Sequence, residues 1–170
     1  MIDIKSAKKR QRKRFLQGLL KTIEFTIFFL AVFIILENYV IVIRRVNGSS
    51  MENTLYNGQI VLGIRTKNVG KGDIVLFQNG DKTLVKRIIG EPGDTVNIDK
   101  QGHVFINGLE IYEPYVSNIS LGNANVTFPL TLESDEYFVM GDNRTDSIDS
   151  RNTQIGNIHK DLIIGKIIGR

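Results

Sequence analysis

Two residues of this 170-residue chain, Ser50 and Lys86, have side chains that together can hydrolyse a bond without histidine, metal ion or cofactor. A serine hydroxyl becomes a useful nucleophile only when a neighbouring base takes its proton. A lysine amine can be that base once burial disfavours its charged form and lowers its pKa from ~10.4. Each residue alone is more typical of a turn serine or a surface cation, so the prediction depends on their surroundings.

Both residues stand in distinctive local sequences. Ser50 lies in residues 47–55, NGSSMENTL, where two apolar side chains can bury and fix the loop. Lys86 lies in a largely apolar, strand-like run that continues into a Gly-Glu-Pro-Gly-Asp turn. Alternation along a strand places Leu84 and Ile88 on the same face as Lys86. These settings favour a fixed serine and a desolvated lysine.

A third segment, residues 141–151, reads GDNRTDSIDSR and is polar and turn-rich. Its Ser147 hydroxyl can hold a lysine amine in place, while Asp149 and Arg151 can lock the shape of the loop. The alternatives are a solvated charged loop or a calcium site. The spacing does not match an EF-hand, and two arginines oppose a cation. We therefore expect no metal ion here.

Composition excludes several other chemistries. The chain has no cysteine, which rules out disulfides, thiol catalysis and cysteine-based metal sites. His103 and His159 lie outside the three segments, so a Ser-His-Asp enzyme is not expected. Neither a phosphate-binding loop nor a zinc spacing is present, and we expect no cofactor.

The charge of the chain is unevenly distributed. Residues 1–21 hold eight Lys or Arg and one acidic residue, so this tail carries +7, whereas the remainder carries −3. A body that binds nucleic acid would carry its own basic face. We therefore expect no nucleic-acid partner.

An apolar segment follows the basic residues. Its uncharged centre, residues 25–36, is shorter than the ~20 residues that cross a bilayer, but one helix over residues 15–42 is long enough. A cleavable signal peptide would end in an Ala-x-Ala pattern, which is absent. A buried core helix would not explain the adjacent cationic block. We predict a basic cytoplasmic tail at 1–21, a transmembrane anchor at 22–43 and an extracytoplasmic body at 44–170.

The body has the pattern of an all-β domain. Short β-rich runs alternate with turn signals such as Asn-Gly and Pro-Gly-Asp, and no long helical period interrupts them. The polar, Asn-rich residues 117–125 are expected to form a loop. The pattern predicts a barrel or coiled sheet. The predicted strands are residues 39–46, 60–64, 73–77, 84–89, 95–98, 103–106 and 136–140.

The three segments, in this order, resemble bacterial type I signal peptidase, especially its small Gram-positive form. The resemblance covers residues 44–170 or so, and residues 72–77, GDIVLF, look like the family's intervening strand motif. It implies an all-β catalytic domain of coiled sheets in a partly open barrel, with one N-terminal transmembrane helix. It also implies a membrane-bound serine endopeptidase that cleaves signal peptides from exported preproteins, bound as extended strands at the membrane.

The resemblance also implies a role for each matching residue. Ser50 would be the nucleophile and Lys86 the general base, with the Ser50 backbone N–H helping to hold the oxyanion. The supporting residues would be Ser147, which orients the amine, Asp149 and Arg151, which support the structure, and Arg87 with Asp142, which form an ion pair.

Two positions depart from the family pattern. Asn53 stands where the family usually has proline, and Gly48 stands where some members have a serine that helps the oxyanion. Asn53 indicates a specialised substrate set, such as pilins. It also leaves open a catalytically silent relative that binds preproteins or pilin subunits as an assembly factor. A tethered adhesive or scaffolding β-domain would explain the anchor but not the three segments. The intact Ser50 and Lys86 favour the enzyme.

Overall fold

The structure, a computed structural model, describes residues 4–168, with the side chains of residue 8 and of residues 10–168. The chain divides into two compact units, which meet in sequence between Val40 and Ile41.

The first unit is a single helix, α1, from Ile4 to Tyr39. It begins before the predicted residue 15 because lysine, arginine and glutamine are good helix formers, so the basic stretch is helical too. It ends before residue 42 because the β-branched run from Val40 enters a strand. Its part from Arg10 to Tyr39 is long and apolar enough to cross a membrane, and its apolar window has no buried residue. A buried core helix is therefore the wrong alternative for this segment.

The second unit contains two antiparallel sheets. The larger sheet has seven strands in the order β1-β2-β11-β3-β4-β9-β10, and the smaller has four in the order β7-β6-β5-β8. Strands β1 and β10 are the outer strands of the larger sheet, so it is not a closed barrel. This architecture confirms the predicted fold class. The strands are β1 (Ile41–Arg45), β2 (Ile60–Ile64), β3 (Ile74–Asn79), β4 (Lys82–Gly90), β5 (Thr95–Ile98), β6 (Val104–Ile106), β7 (Leu109–Glu110), β8 (Leu130–Thr131), β9 (Glu136–Met140), β10 (Ile158–His159) and β11 (Ile163–Ile168), with a 3-10 helix at Lys160–Leu162.

The core of this unit consists of three apolar clusters. One lies between the small sheet and β9 and is centred on Phe138. The second joins β3, β4, β9 and β11, and it contains both Ile88 and, partly buried, Leu84. The third packs Met51 and Leu55 beside strand residues of β2 and β3. The last two clusters fix the segments that contain Lys86 and Ser50.

Candidate active site

The loop that contains Ser50 is held by its own apolar side chains. Met51 and Leu55 are each 1% exposed and pack in the third cluster. A one-turn hydrogen bond from Leu55 N to Met51 O, 2.8 Å, closes the backbone after the serine. Because Met51 and Leu55 are buried at the two ends of this turn, the backbone next to Ser50 is held in place.

The backbone conformation at position 48 explains why this residue is a glycine. Its φ is 93°, in the left-handed half of the map that glycine enters without a Cβ penalty. A serine at this position would be strained in the same conformation. In this chain a side-chain oxyanion donor at position 48 would therefore strain the backbone of the loop.

Lys86 lies in the middle of β4, paired with Val75 of β3. It is 4% exposed, and its Nζ donates a hydrogen bond of 2.6 Å to Ser50 Oγ. Burial lowers the pKa of Lys86 to about 8, and the Asp149 carboxylate opposes part of this effect. The neutral amine therefore forms at a lower pH than in a surface lysine. In its neutral form the amine can accept the proton of the serine hydroxyl.

Asp149 is the centre of the third segment. It is fully buried and accepts hydrogen bonds from Gly141 N at 2.9 Å, from Ser147 Oγ at 2.7 Å and from Arg151 Nε at 2.8 Å. Burial alone would raise the pKa of Asp149, but the bonds from Arg151, Gly141 and Ser147 hold it below its ordinary value. The carboxylate therefore stays charged and fixes the loop around it.

Ser147 and the carbonyl oxygen of Ser50 both lie close to Gly141. A Cβ added at Gly141 would lie 2.3 Å from Ser147 Oγ and 2.4 Å from the Ser50 carbonyl oxygen. The hydrogen bonds of the described residues include none between Ser147 and Lys86, and the Ser147 hydroxyl donates to Asp149 instead. An orienting role for Ser147 stays a prediction.

Arg87 and Asp142 form a buried bidentate ion pair next to the lysine. Arg87 Nε lies 2.8 Å from Asp142 Oδ1, and Nη2 lies 2.6 Å from Oδ2. The Thr54 hydroxyl also donates to this carboxylate. The pair thus connects β4, the serine loop and the third segment.

Several residues that contact the site were not singled out from the sequence. Asn143 donates from its backbone N to Ser50 O, 3.1 Å, and from its side chain to Ser49 O, 3.2 Å. Ser49 donates to Asp146. Residues 113–117, between β7 and β8, also reach the site. These contacts join segments far apart in the sequence, so no local pattern could have indicated them.

An open cleft of about 530 Å³ runs past Ser50 and Lys86. Its lining includes Arg44 and Arg45 of β1 and residues 82–86 of β4. On the β9 side, the β4–β9 ladder begins only at Arg87. The cleft therefore has strand backbone beside it and can receive an extended peptide.

Within residues 4–168, no group of three or more His, Asp or Glu side chains is arranged to hold a metal ion.

The family model for signal peptidase, peptidase S26, matches residues 19–170. The chain belongs to this family. Signal peptidase I P of Bacillus subtilis subsp. natto is 39% identical over 145 residues, which cover 78% of this chain and 77% of the relative. Signal peptidase I of Bacillus amyloliquefaciens is 41% identical over 134 residues, covering 71% of this chain and 68% of the relative. These relatives confirm the predicted resemblance to the Gram-positive signal peptidases.

A crystal structure of a signal peptidase I from Enterococcus faecalis V583 is also similar. It shows 28% sequence identity and a TM-score of 0.49, and the match covers 59% of this chain and 97% of that one.

Proposed function

We propose that this chain is a membrane-bound serine endopeptidase that removes N-terminal signal peptides from exported preproteins. Ser50 is its nucleophile and Lys86 its general base. The observation that supports this assignment is the 2.6 Å contact between Lys86 Nζ and Ser50 Oγ, made by a lysine that is 4% exposed. Membership of the signal peptidase family supplies the reaction class.

The reaction starts with the neutral Lys86 amine. It takes the proton from Ser50 Oγ while this oxygen attacks the carbonyl carbon of the scissile peptide bond. The resulting oxyanion accepts a hydrogen bond from the Ser50 backbone N–H, which makes none of the described backbone hydrogen bonds. The C–N bond then breaks, the Lys86 ammonium protonates the leaving amine, and an ester remains on Ser50.

Hydrolysis of the ester uses the same base. Lys86 takes a proton from a water molecule, which attacks the ester carbonyl carbon. The bond to Ser50 Oγ breaks, Oγ regains its proton from Lys86, and the signal peptide leaves with a new carboxylate. Both half-reactions need the neutral amine, so a pKa of about 8 suits the role better than the 10.5 of an ordinary lysine.

The membrane gives the enzyme access to its substrate. We assign α1 from residue 22 onward as a single transmembrane pass, with the basic residues 1–21 in the cytoplasm and the body from residue 44 outside. The apolar composition of this part of α1 and the positive charge of the residues before it support this topology. A signal peptide lies in the same bilayer, so enzyme and substrate meet at one lipid surface.

The cleft beside Ser50 suits an extended chain. A preprotein segment would lie along β1 and the free part of β4, with backbone hydrogen bonds giving affinity and side-chain pockets giving selectivity. Asn53 further suggests a narrowed precursor set, such as pilin subunits.

The test is cleavage of a secretory precursor co-expressed with the full chain. We expect Ser50→Ala and Lys86→Ala to leave the precursor uncut, whereas the exposed-site controls Ser134→Ala and Lys100→Ala cut it like wild type. Equal cleavage by wild type and Ser50→Ala would refute the assignment. A wild type that binds precursors but cuts none would favour the silent assembly factor.

A further inference from the structure

Five residues that follow β7, Glu113 to Ser117, contact the active site at three separate points. We call residues 113–117 the brace segment. They are not among the residues that line the cleft. The segment therefore touches the residues around Ser50 and Lys86 without lying where the substrate would bind.

The first contact is an ion pair with the third segment. Arg144 Nη1 donates to Glu113 Oε2 at 2.8 Å and Nη2 donates to Oε1 at 2.5 Å, and the Arg144 side chain is 0% exposed. Arg144 Nε also donates to Gly141 O at 3.2 Å. A bidentate, buried pair of this kind fixes orientation as well as distance. The brace segment is thereby tied to the loop that follows β9.

The second contact covers the ion pair beside the lysine. The Arg87 guanidinium carbon lies 3.9 Å from the centroid of the Tyr115 ring, within cation–π range. The Tyr115 hydroxyl also donates to Glu113 Oε1 at 2.8 Å. The ring thus shields the Arg87–Asp142 pair from water.

The third contact reaches the serine loop directly. The side-chain amide of Asn53, three residues after Ser50, donates to Ser117 Oγ. Thr54, the next residue, donates to Asp142. One end of the brace segment therefore holds the serine loop, and its middle covers the ion pair next to Lys86.

We propose that Tyr115 is a positioning residue for the Ser50–Lys86 pair, acting through Arg87 and the brace segment. This inference rests on the proposed function of the pair. Tyr115 contacts neither reacting side chain; it keeps Arg87 on Asp142, and that ion pair fixes β4 against the serine loop.

Charge gives this arrangement a measurable consequence. The charged groups that act on Lys86 are Asp149, Arg151, Asp142 and Asp146. Of these, Asp142 is the carboxylate that Arg87 neutralises beneath the Tyr115 ring. Without the ring, water reaches the pair and Arg87 holds Asp142 less firmly. The negative charge of Asp142 then favours the charged lysine, and the pH needed for activity rises.

The experiment uses the purified full chain in detergent with a fluorogenic peptide that carries Ala-x-Ala before the scissile bond. Tyr115→Leu removes the ring, Tyr115→Phe keeps it, and Tyr112→Leu is the matched control because Tyr112 is 90% exposed. For Tyr115→Leu we expect kcat to fall about tenfold, as for a misplaced reacting pair, with KM unchanged. We also expect the acidic limb of its pH–kcat profile to move to higher pH. The acidic limbs of Tyr115→Phe and Tyr112→Leu should stay at the wild-type position.

Three results would overturn the inference. In the first, Tyr115→Leu has the kcat and acidic limb of Tyr112→Leu. In the second, Tyr115→Phe and Tyr115→Leu lose kcat equally with no movement of the limb, which is the behaviour of a residue needed only for folding. In the third, KM rises while kcat stays constant, which indicates substrate contact.

If Tyr115→Leu does not fold, Tyr115→Met fills more of the space and is judged by the same criteria. A wild type that cuts nothing refutes the proposed function itself, whereas an active wild type with an unaffected Tyr115→Leu refutes this inference alone.

Discussion

Replacing Lys86 by methionine should stabilise the protein while abolishing its activity. Methionine is unbranched and apolar, and it fills the buried site without a charge. The pKa of Lys86 falls from 10.5 to about 8 because burial disfavours the ammonium. Each tenfold loss of proton affinity corresponds to about 1.4 kcal/mol, so keeping this lysine protonated in the folded state costs about 3 kcal/mol of folding free energy.

The sign of this effect with pH follows from proton linkage. Below about pH 8 the lysine is protonated in both the folded and the unfolded state, so the cost is fully present. Between about 8 and 10.5 the folded state releases the proton first, so wild-type stability rises and the advantage of the methionine variant shrinks.

The assay is urea unfolding of the full chain in detergent, followed by tyrosine fluorescence. We expect Lys86→Met to exceed wild type by about 3 kcal/mol near neutral pH and by much less at about pH 10. The exposed-site control Lys100→Met should have the stability of the wild type at both pH values. A Lys86→Met variant with wild-type stability near neutral pH, or an advantage that does not change with pH, would refute the claim that burial lowers the pKa.

Two further perturbations test the loops around the pair. Asp149→Asn leaves Arg151 as a buried, unpaired charge, so we expect about 3–5 kcal/mol of lost stability in urea unfolding, against no change for the exposed-site control Asp81→Asn. Because the pKa of Asp149 is lowered, its stabilisation is present above its ordinary pKa and is lost as pH falls through the lower folded value. Gly141→Ala adds a Cβ at 2.4 Å from Ser50 O, which must shift the serine loop; we expect kcat to fall about a hundredfold. A Gly141→Ala enzyme with wild-type kcat would contradict this account of the loop.

Much of the fold was predictable because its signals are local. The predicted bounds of β2, β5 and β9 agree with the structure, since each is a short β-rich run between turn signals. The tight turn between β6 and β7 was also indicated by Asn107 and Gly108, whose φ values of 53° and 82° suit the turn type that Asn-Gly prefers. By contrast, β7, β8 and β10 have two residues each, too few for a pattern, and they exist because neighbouring strands pair with them.

The site was predictable in residue type but not in its support. The three segments could be picked out from their composition and order, and the structure places Ser50 against Lys86. The covering of Arg87 by Tyr115 joins residues 28 positions apart in the sequence. Such a contact depends on how a loop crosses the sheet, which residue type and spacing do not encode. The tie from Asn53 to Ser117 is of the same kind: Asn53 could be noticed as unusual, but not its partner.

The pH dependence of kcat/KM for peptide cleavage by the wild-type full chain tests the central claim most directly. If neutral Lys86 is the base, the rate rises with pH, tenfold per pH unit at low pH, and levels off above about pH 8. Lys86→Ala should then show no such limb and only a residual rate. A wild-type rate that is flat from about pH 6 to about pH 10, or a limb that survives in Lys86→Ala, would contradict the assignment of Lys86 as the base of Ser50.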